Sequence, residues 1–279
     1  MKYFKGKKVY ITGGSSGIGL EAAQMLSSYG ASVAIFGRDV KKLYAARTKI
    51  ESRRVSEKQL IYALPIDVSN HEDVEKKMPV AVQDFGVPDI LINSAGIGHA
   101  DYFENVAYDT FNQVILTNLY GTRNVIAALL PFMKDRGGHI VNVSSMLGLI
   151  GIFGYAAYCS SKFALIGLSE CLRSELKRNN IRVSVFCPPE VDTPMTDYMV
   201  ESSPLETRAL VKMTGLMSVE RAARILLAGI EQKRFLIVPG FLSKWMYLNK
   251  KLNPPLTHIV MDLIVRFAMK KSGSRDRTG

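Results

Sequence analysis

The sequence predicts an α/β fold, a doubly wound parallel sheet with helices on both faces. Over residues 1–240 of the 279-residue chain, short runs of β-branched and aromatic residues alternate with helical patterns. This alternation is typical of βαβ units, in which a helix crosses over between parallel strands. The predicted strands lie at 8–12, 32–36, 60–64, 88–93, 138–144, 181–187 and 235–238.

A glycine-rich turn follows the first strand directly and is followed by a helical pattern that stops at Gly30. Glycines there permit a tight turn and close approach of the backbone to a pyrophosphate, which a helix N-terminus favours. The alternative is a glycine turn that binds nothing. The spacing T-G-x-x-x-G-x-G predicts these dinucleotide-binding residues: Gly13, Ser15, Ser16, Gly17, Ile18 and Gly19.

The residues after the second and third strands indicate which dinucleotide binds. An acidic residue after the second strand would bind the ribose hydroxyls of NAD, but Gly37 and Arg38 stand there. An arginine can hold the 2′-phosphate of NADP, so NADPH or NADP is predicted, with a solvated surface arginine as the alternative. Asp67, with Val68 beside it, is assigned to the adenine amino group; otherwise Asp67 simply starts the next helix with Ser69.

Two further strand ends are assigned to the cofactor. Small residues after the fourth strand would let the backbone pass close to it. The assigned residues there are Asn93, Ala95 and Gly96. After the sixth strand they are Pro188, Val191 and Thr193.

Tyr158 and Lys162 are four residues apart and therefore share one face of a helix. A fixed ammonium lowers the pKa of a phenol from about 10, which suits proton transfer near neutrality. Ser145 ends a strand-like run and would place a second hydroxyl on the same substrate oxygen. Asn118 lies in a helix predicted over 107–133. The alternatives are an exposed Tyr/Lys pair and a packing asparagine.

The net charge of +11 is concentrated near the C-terminus, where the chain from Lys233 onward carries ten Lys/Arg and two Asp/Glu. Residues 241–279 predict two amphipathic helices with basic polar faces and Trp245, which suit an in-plane membrane contact through 241–271. Packing on the domain or across a dimer is the alternative. Nucleic acid is disfavoured because no recognition module is present. No apolar run is long enough for a membrane-spanning helix.

The cysteines Cys159, Cys171 and Cys187 have no metal-binding spacing, and no signal peptide is evident. Reduced thiols, no metal and a cytoplasmic location, peripheral on the cytoplasmic face of a membrane, are therefore predicted. Residues 194–215 carry scattered leucines and methionines and predict a lid beside the tyrosine, with two surface helices as the alternative.

With these motifs in order, residues 6–240 resemble the short-chain dehydrogenase/reductase family. The motifs are Thr12-Gly13 through Gly19, Asn93-Ser94-Ala95-Gly96, Asn118, Ser145, Tyr158 and Lys162. The resemblance implies a Rossmann domain at 1–240 and hydride transfer between NAD(P) and a carbonyl or alcohol. It implies that Tyr158 is the acid/base and that Lys162 lowers its pKa and holds the nicotinamide ribose. Ser145 would orient the substrate oxygen, and Asn118 would keep a proton-relay water.

Departures from that pattern point to a narrower group. Ser94 replaces the second asparagine of N-N-A-G, and Pro189 replaces the glycine of P-G. The runs at 149–154, 188–194 and 204–208 are similar to 3-ketodihydrosphingosine reductases, which reduce the 3-keto group of a long-chain sphingoid base with NADPH. Eukaryotic members begin with a membrane-spanning segment, so a bacterial-type member is expected, as a homodimer or homotetramer.

Two other functions stay open at this point. One is an NADP-linked reductase or dehydrogenase of another apolar ketone or alcohol, such as a steroid or retinoid-like compound. The other is a catalytically silent nucleotide-binding scaffold, because fold alone does not fix function.

Overall fold

The computed structural model describes residues 1–204, 206–208 and 215–273, with only the backbone described at 202 and 268–273. Within these residues, seven strands form one parallel sheet in the order β3-β2-β1-β4-β5-β6-β7. The strands are β1 (Lys8–Thr12), β2 (Ser32–Gly37), β3 (Ile61–Pro65), β4 (Ile90–Asn93), β5 (Gly138–Val143), β6 (Ile181–Phe186) and β7 (Leu236–Ile237). The predicted doubly wound fold is confirmed.

Helices cover both faces of this sheet, and alternate strand residues point to opposite faces. In β1, Val9 and Ile11 enter the apolar cluster on one face, whereas Tyr10 enters the cluster on the other. The helices are α1 (Gly17–Ser28), α2 (Val40–Glu51), α3 (His71–Phe85), α4 (Tyr108–Ile115), α5 (Gly121–Met133), α6 (Ala156–Glu175), α7 (Pro194–Ser202), α8 (Val219–Glu231), α9 (Phe241–Leu252) and α10 (Pro254–Gly273). Helices α1, α2 and α8 pack on the first face, and α3 and α5 on the second.

The winding of the sheet reverses between β1 and β4, which are neighbours in space although β2 and β3 separate them in the chain. At such a point the loops after the two strands diverge and leave a crevice at their carboxyl ends. Gly13 follows β1 there with φ of +67°, and a Cβ on it would lie 2.8 Å from the Ala95 backbone after β4. Only glycine fits, so the turn is built for this close approach.

One predicted helix differs from the observed one. The helix predicted over 107–133 is interrupted by a π-helical turn at Leu116–Tyr120, whose wider hydrogen-bond ring accommodates an extra residue. This turn carries Asn118, so the interruption bears on the candidate site.

The C-terminal helices follow β7, with α9 anchored to the sheet domain and α10 packed against α9. Ser243 is buried, and the Lys250 ammonium donates to the Leu149 carbonyl at 2.6 Å and lies 4.7 Å from the Phe163 ring centroid. Within the described part of the chain, no helix combines the length and apolarity that crossing a bilayer requires.

Candidate active site

A cavity opens at the carboxyl edge of the sheet, beside the β1/β4 switch point. Its walls come from the turns after β1, β4, β5 and β6 and from helices α6 and α7. The predicted site residues that line it are Gly13, Ser16, Gly17, Ile18, Ala95, Gly96, Ser145, Tyr158, Lys162, Pro188, Val191 and Thr193. Elements far apart in sequence therefore bring these residues to one place.

The hydroxyls of Tyr158 and Ser145 meet on the cavity wall. Tyr158 lies in the first turn of α6, is 7% exposed, and is hydrogen-bonded to Ser145. Ser145 lies two residues beyond the end of β5, after the buried Ser144, and its Oγ also accepts from the Leu147 backbone N–H at 3.1 Å. The serine oxygen is thus held in place by its own backbone turn, and the two hydroxyls can converge on one small substrate oxygen.

Lys162 lies one helical turn beyond Tyr158, and its side chain is 4% exposed. Its Nζ donates to the Val143 carbonyl at 2.9 Å and lies 5.5 Å from the Tyr158 ring centroid. A Cβ on Gly96 would lie 3.6 Å from the same Nζ, so the ammonium borders the loop after β4. Burial lowers the pKa of Lys162 to about 8.

The pKa of Tyr158 differs from the sequence expectation of a lowered value. Burial raises it above 10, and the Ser145 hydrogen bond only partly offsets that effect. Burial of the phenol therefore dominates, and the phenol is held protonated in the structure described. A lowering contribution from the Lys162 ammonium stays a prediction.

Asn118 is fully buried in the π-helical turn and links two parts of the site. Its Oδ1 accepts from the Ile97 N–H at 2.8 Å, and its Nδ2 donates to the Ile97 carbonyl at 2.9 Å and to Ser161 Oγ at 3.0 Å. Ser161 in turn donates to the Tyr158 carbonyl at 2.8 Å. This geometry positions the loop after β4 against the Tyr158 turn; the relay water stays a prediction.

Two predicted cofactor residues serve the framework rather than the cavity wall. Asn93 is buried, and its Nδ2 donates to Asn142 Oδ1 at 2.9 Å, which ties β4 to β5. A Cβ on Gly19 would collide with the Gly13 carbonyl, so this glycine permits close packing of α1 against the turn. Both residues hold together the elements that form the cavity wall.

The predicted adenosine-side residues lie beyond the described cavity wall. Asp67 Oδ1 accepts from the N–H and Oγ of Ser69 at 3.0 and 2.7 Å, as in the alternative interpretation of a helix-starting turn. Val68 is buried against Gly121. Arg38 is exposed at the end of β2, and the adjacent Gly37 lies close to Ser15. The roles of Ser15, Arg38, Asp67 and Val68 in binding stay predictions.

Part of the predicted lid borders the cavity. Residues 194–202 form α7, capped by Thr193, whose Oγ1 accepts from the Thr196 N–H at 3.3 Å. Met195 and Met199 from this helix line the cavity. Residues 205 and 209–214 of the predicted lid lie outside the described residues.

Sequence reasoning assigned no role to three residues that the structure places at the site. Ser161 carries the Asn118 bond, and Leu147 and Glu190 line the cavity. The sequence position of Glu190 could have indicated its place at the site, because it directly follows Pro188-Pro189 at the end of a predicted strand. The ends of the parallel strands face the same edge of the sheet as the tyrosine. Ser161 had no such indication, since a helical serine beside a tyrosine is ordinary.

Comparisons with known proteins place the chain in a family. A family model described as short chain dehydrogenase matches residues 7–203. The chain is 37% identical over 232 residues to the 3-dehydrosphinganine reductase of Danio rerio, covering 82% of this chain and 70% of that protein. Identity and coverage are the same for the 3-ketodihydrosphingosine reductase of Bos taurus.

A solved structure shows the same fold. The short chain dehydrogenase/reductase from Burkholderia phymatum, in complex with NAD, superposes with a TM-score of 0.78 at 24% identity, over 90% of this chain and 96% of that chain. The predicted family and the resemblance to 3-ketodihydrosphingosine reductases are confirmed by these matches. The chain therefore belongs to the short-chain dehydrogenase family of oxidoreductases.

Proposed function

We propose that this protein reduces the 3-keto group of a long-chain sphingoid base, converting 3-ketodihydrosphingosine to dihydrosphingosine with NADPH. The observation that carries the proposal is the pair of hydroxyls, Ser145 and Tyr158, on the wall of a cavity that begins at the glycine turn. The names of the relatives that are 37% identical support the substrate.

The crevice at the switch point fits a dinucleotide. Gly13 and Gly17 have φ of +67° and +51°, and α1 begins at Gly17, so the turn and the helix N-terminus present backbone to the crevice. A helix N-terminus favours a phosphate. Arg38 is exposed directly after β2, next to Gly37, which lies close to Ser15; this position supports a preference for the 2′-phosphate of NADPH. The reduced nicotinamide of that cofactor supplies the hydride when bound.

Each catalytic side chain has one role in the reduction. Tyr158, held protonated by burial, donates its proton to the keto oxygen as the oxygen gains charge. Ser145 donates a hydrogen bond to the same oxygen and so orients the carbonyl. Lys162 supplies a buried positive charge one turn from the phenol, where it stabilises the phenolate left behind. Asn118 holds the loop after β4 in position beside these catalytic side chains.

The cavity also suits an apolar chain. Leu147, Met195 and Met199 line it beside Tyr158, and methionine side chains adapt to ligands of varied shape. A polar head group at the hydroxyl pair and a hydrocarbon chain along α7 together match a sphingoid base.

The test is an assay of the purified protein with NADPH and three substrate classes: 3-ketodihydrosphingosine, steroid ketones and short ketones. We expect the long-chain keto base to give the highest kcat/KM, with the 3-hydroxy compound as product by mass spectrometry. A higher kcat/KM for a steroid ketone would show that the proposed substrate is wrong, whereas the proposed NADPH-dependent reduction of a ketone would stand. NADPH binding without turnover of any ketone would favour a silent scaffold.

The C-terminal segment is the proposed membrane contact, and residues 241–279 are proposed as a separate element from the 1–240 domain. In α9 and α10 these apolar side chains are exposed: Phe241, Leu242, Trp245, Leu248, Leu252, Leu256, Ile259, Val260, Leu263 and Phe267. Lys244 and Lys251 are exposed among them. An apolar surface with lysines suits the interface of an anionic membrane, from which the substrate would be collected.

A cytoplasmic location and a homodimer or homotetramer complete the proposal. The cysteines Cys159, Cys171 and Cys187 are all free thiols in the structure, which supports a reducing compartment. Light scattering of the purified protein would measure the oligomeric state.

A further inference from the structure

A second cavity lies between the C-terminal helices and the sheet domain. Its volume is about 790 Å³, within the range of about 300–1,000 Å³ that is usual for small-molecule sites. Its wall comes from the segment between β5 and α6, from α6 itself, from the end of α9 and from α10. None of the described residues that line it also lines the catalytic cavity, so the two cavities are distinct.

Helix α10 lines this cavity with one face only. The residues concerned recur at intervals of three or four, as in Thr257, Met261 and Val265, and therefore share a face. Leu263 and Phe267 are exposed, and each follows Met261 or Val265 by two residues, about 200° around the helix. The cavity therefore lies on a different face of α10 from the proposed membrane contact.

Five large side chains of the cavity wall are apolar. They are Ile150 and Phe153 from the segment before α6, Phe163 from α6, and Met261 and Val265 from α10. Phe163 is 40% exposed, so a hydrocarbon chain in the cavity would remove apolar surface from water. Methionine adapts its shape to such a chain. The wall therefore suits a ligand with a long apolar part.

The charged part of the wall is more positive than negative. Lys250 and Arg266 line it, whereas Asp262 is the one acid among the described residues that do so, and His258 lies beside them. Burial lowers the pKa of Lys250, and an anion nearby would offset that effect. Arg266 is exposed and forms no ion pair with another described residue. An anionic group is therefore favoured over an ammonium, which would meet two like charges.

We propose that this cavity binds a single-chain amphiphile with an anionic head group, for which a fatty carboxylate is the simplest probe. The chain packs against the five apolar side chains, and the head group lies near Lys250 and Arg266. Such a ligand contacts the segment between Ser145 and Tyr158 from the side away from the catalytic cavity. The site takes a second ligand, so it does not depend on which ketone the catalytic cavity reduces.

The binding test uses cis-parinaric acid, a fatty carboxylate whose fluorescence rises in an apolar site. It is titrated as a monomer, without vesicles, into the full-length protein with NADP⁺ present. We expect saturable binding that dodecanoate displaces best, dodecanol less well and dodecylamine least, because the wall favours an anion. Absence of saturable binding, or equal displacement by dodecanoate and dodecylamine, overturns the proposal.

Gly151→Phe tests the position of the site. Gly151 lines the cavity, and a Cβ on it would have no heavy atom within 4 Å, so a larger side chain occupies open space. The matched control is Gly167→Phe, because Gly167 on α6 is equally open but does not line the cavity. We expect the probe Kd to rise at least about tenfold in Gly151→Phe, as for the loss of about two buried methylene groups, and to stay native in the control. The same Kd in all three proteins overturns the proposal.

Three further variants separate the cavity from its surroundings. Arg266→Gln should weaken dodecanoate about two- to fivefold and leave dodecanol unchanged, because the charge is exposed. Leu263→Glu, on the other face of α10, and Met195→Phe, in the catalytic cavity, should bind the probe like the native protein. Loss of binding in either of these two, with native binding by Gly151→Phe, would place the probe elsewhere and overturn the proposal. If the native protein binds the probe as expected but reduces no ketone, only the proposed function fails.

Discussion

The carboxyl edge of the sheet and the C-terminal helices differ in the kind of group that they bury or expose. At the edge, polar groups are buried: Asn118, Ser145, Tyr158 and Lys162 are each 8% exposed or less. In α9 and α10 the reverse holds, since Phe241, Leu252 and Phe267 are at least 74% exposed. Each arrangement costs free energy in water, the first by desolvating polar groups and the second by exposing apolar surface.

The two costs are met differently. At the edge, hydrogen bonds within the protein offset the cost of burial, as where the Asn118 side chain bonds both backbone groups of Ile97. The exposed side chains of α9 and α10 gain contacts only from something outside the described chain. Changes at the edge should therefore alter chemistry, and changes in the helices should alter where the protein binds.

Removal of the Tyr158 hydroxyl should have the largest effect. Tyr158→Phe keeps the ring and its packing but removes the proton that the keto oxygen receives. General acid catalysis contributes about 10²–10⁴-fold, so turnover should fall at least about 100-fold while the NADPH Kd stays close to native. Stopped-flow absorbance of NADPH and fluorescence titration measure the two quantities.

Tyr155→Phe is the matched control. Its ring centroid lies 6.4 Å from that of Tyr158, and it is also buried, but Cys159 rather than a lysine follows it by one turn. This variant should retain most activity. Near-native turnover by Tyr158→Phe, or equal losses in both variants, would contradict the assignment of the acid.

The regions also differ in how far the sequence predicts them. The alternation of strands and helices and the spacing from Gly13 to Gly19 predict the sheet and the crevice, because both depend on local conformation and period. The raised pKa of Tyr158 was not predictable, since it depends on burial by elements distant in sequence. The role of Ser161 likewise needs the π-helical turn to bring Asn118 to it.

His139 is a buried polar residue that lies outside the candidate site. Its protonation should therefore affect the stability of the protein and not its catalysis. His139 is the second residue of β5, at the amino edge of the sheet, and is 2% exposed. Its Nε2 lies 2.7 Å from Ser184 Oγ, which donates to the Arg234 carbonyl, so the ring donates to the serine as the neutral tautomer. Burial, aided by the charges of Arg182 and Lys233, lowers the pKa of His139 to about 4.

The sign of the pH effect follows from that lowered pKa. The unfolded chain binds a proton near pH 6.5, whereas the folded chain does not until about pH 4. Stability should therefore fall by about 3 kcal/mol as the pH drops through this window and then level off. Urea unfolding across the window measures it. His139→Gln should lose this slope and His71→Gln, exposed on α3, should keep it; an identical slope in all three proteins would exclude His139 as its source.

A smaller effect is expected at the rim of the crevice, where Arg38 is exposed. A hydrogen-bonded charge pair with the 2′-phosphate is worth about 1.5–3 kcal/mol, or roughly 10- to 100-fold in preference for NADPH over NADH. Arg38→Ala should remove most of that preference and leave NADH use intact. Arg178→Ala, an exposed arginine just before β6, is the control. Equal kcat/KM for both cofactors in the native protein would make Arg38 a solvated residue.

The smallest effect per residue is expected in the C-terminal helices, where each lysine near an anionic surface contributes about 1 kcal/mol that salt screens. Deletion of residues 241–279 would not test membrane binding alone. Because α9 is anchored to the domain through Ser243 and Lys250, its loss would also expose the domain surface that it covers. The sharper variant keeps the full chain and changes exposed apolar side chains of α10, Leu263→Glu with Phe267→Glu.

Native protein should sediment with vesicles rich in anionic lipid and should be released by salt, whereas the double variant should stay in the supernatant. The control, Val55→Glu with Leu60→Glu, makes the same change at exposed apolar residues before β3 and should bind like the native protein. In paired kinetics, the α10 variant should lose activity on the long-chain base presented in vesicles while short soluble ketones are reduced at the native rate. Equal sedimentation of native and α10-variant protein, or equal loss on both substrates, would make the exposed face a structural surface and end the membrane proposal.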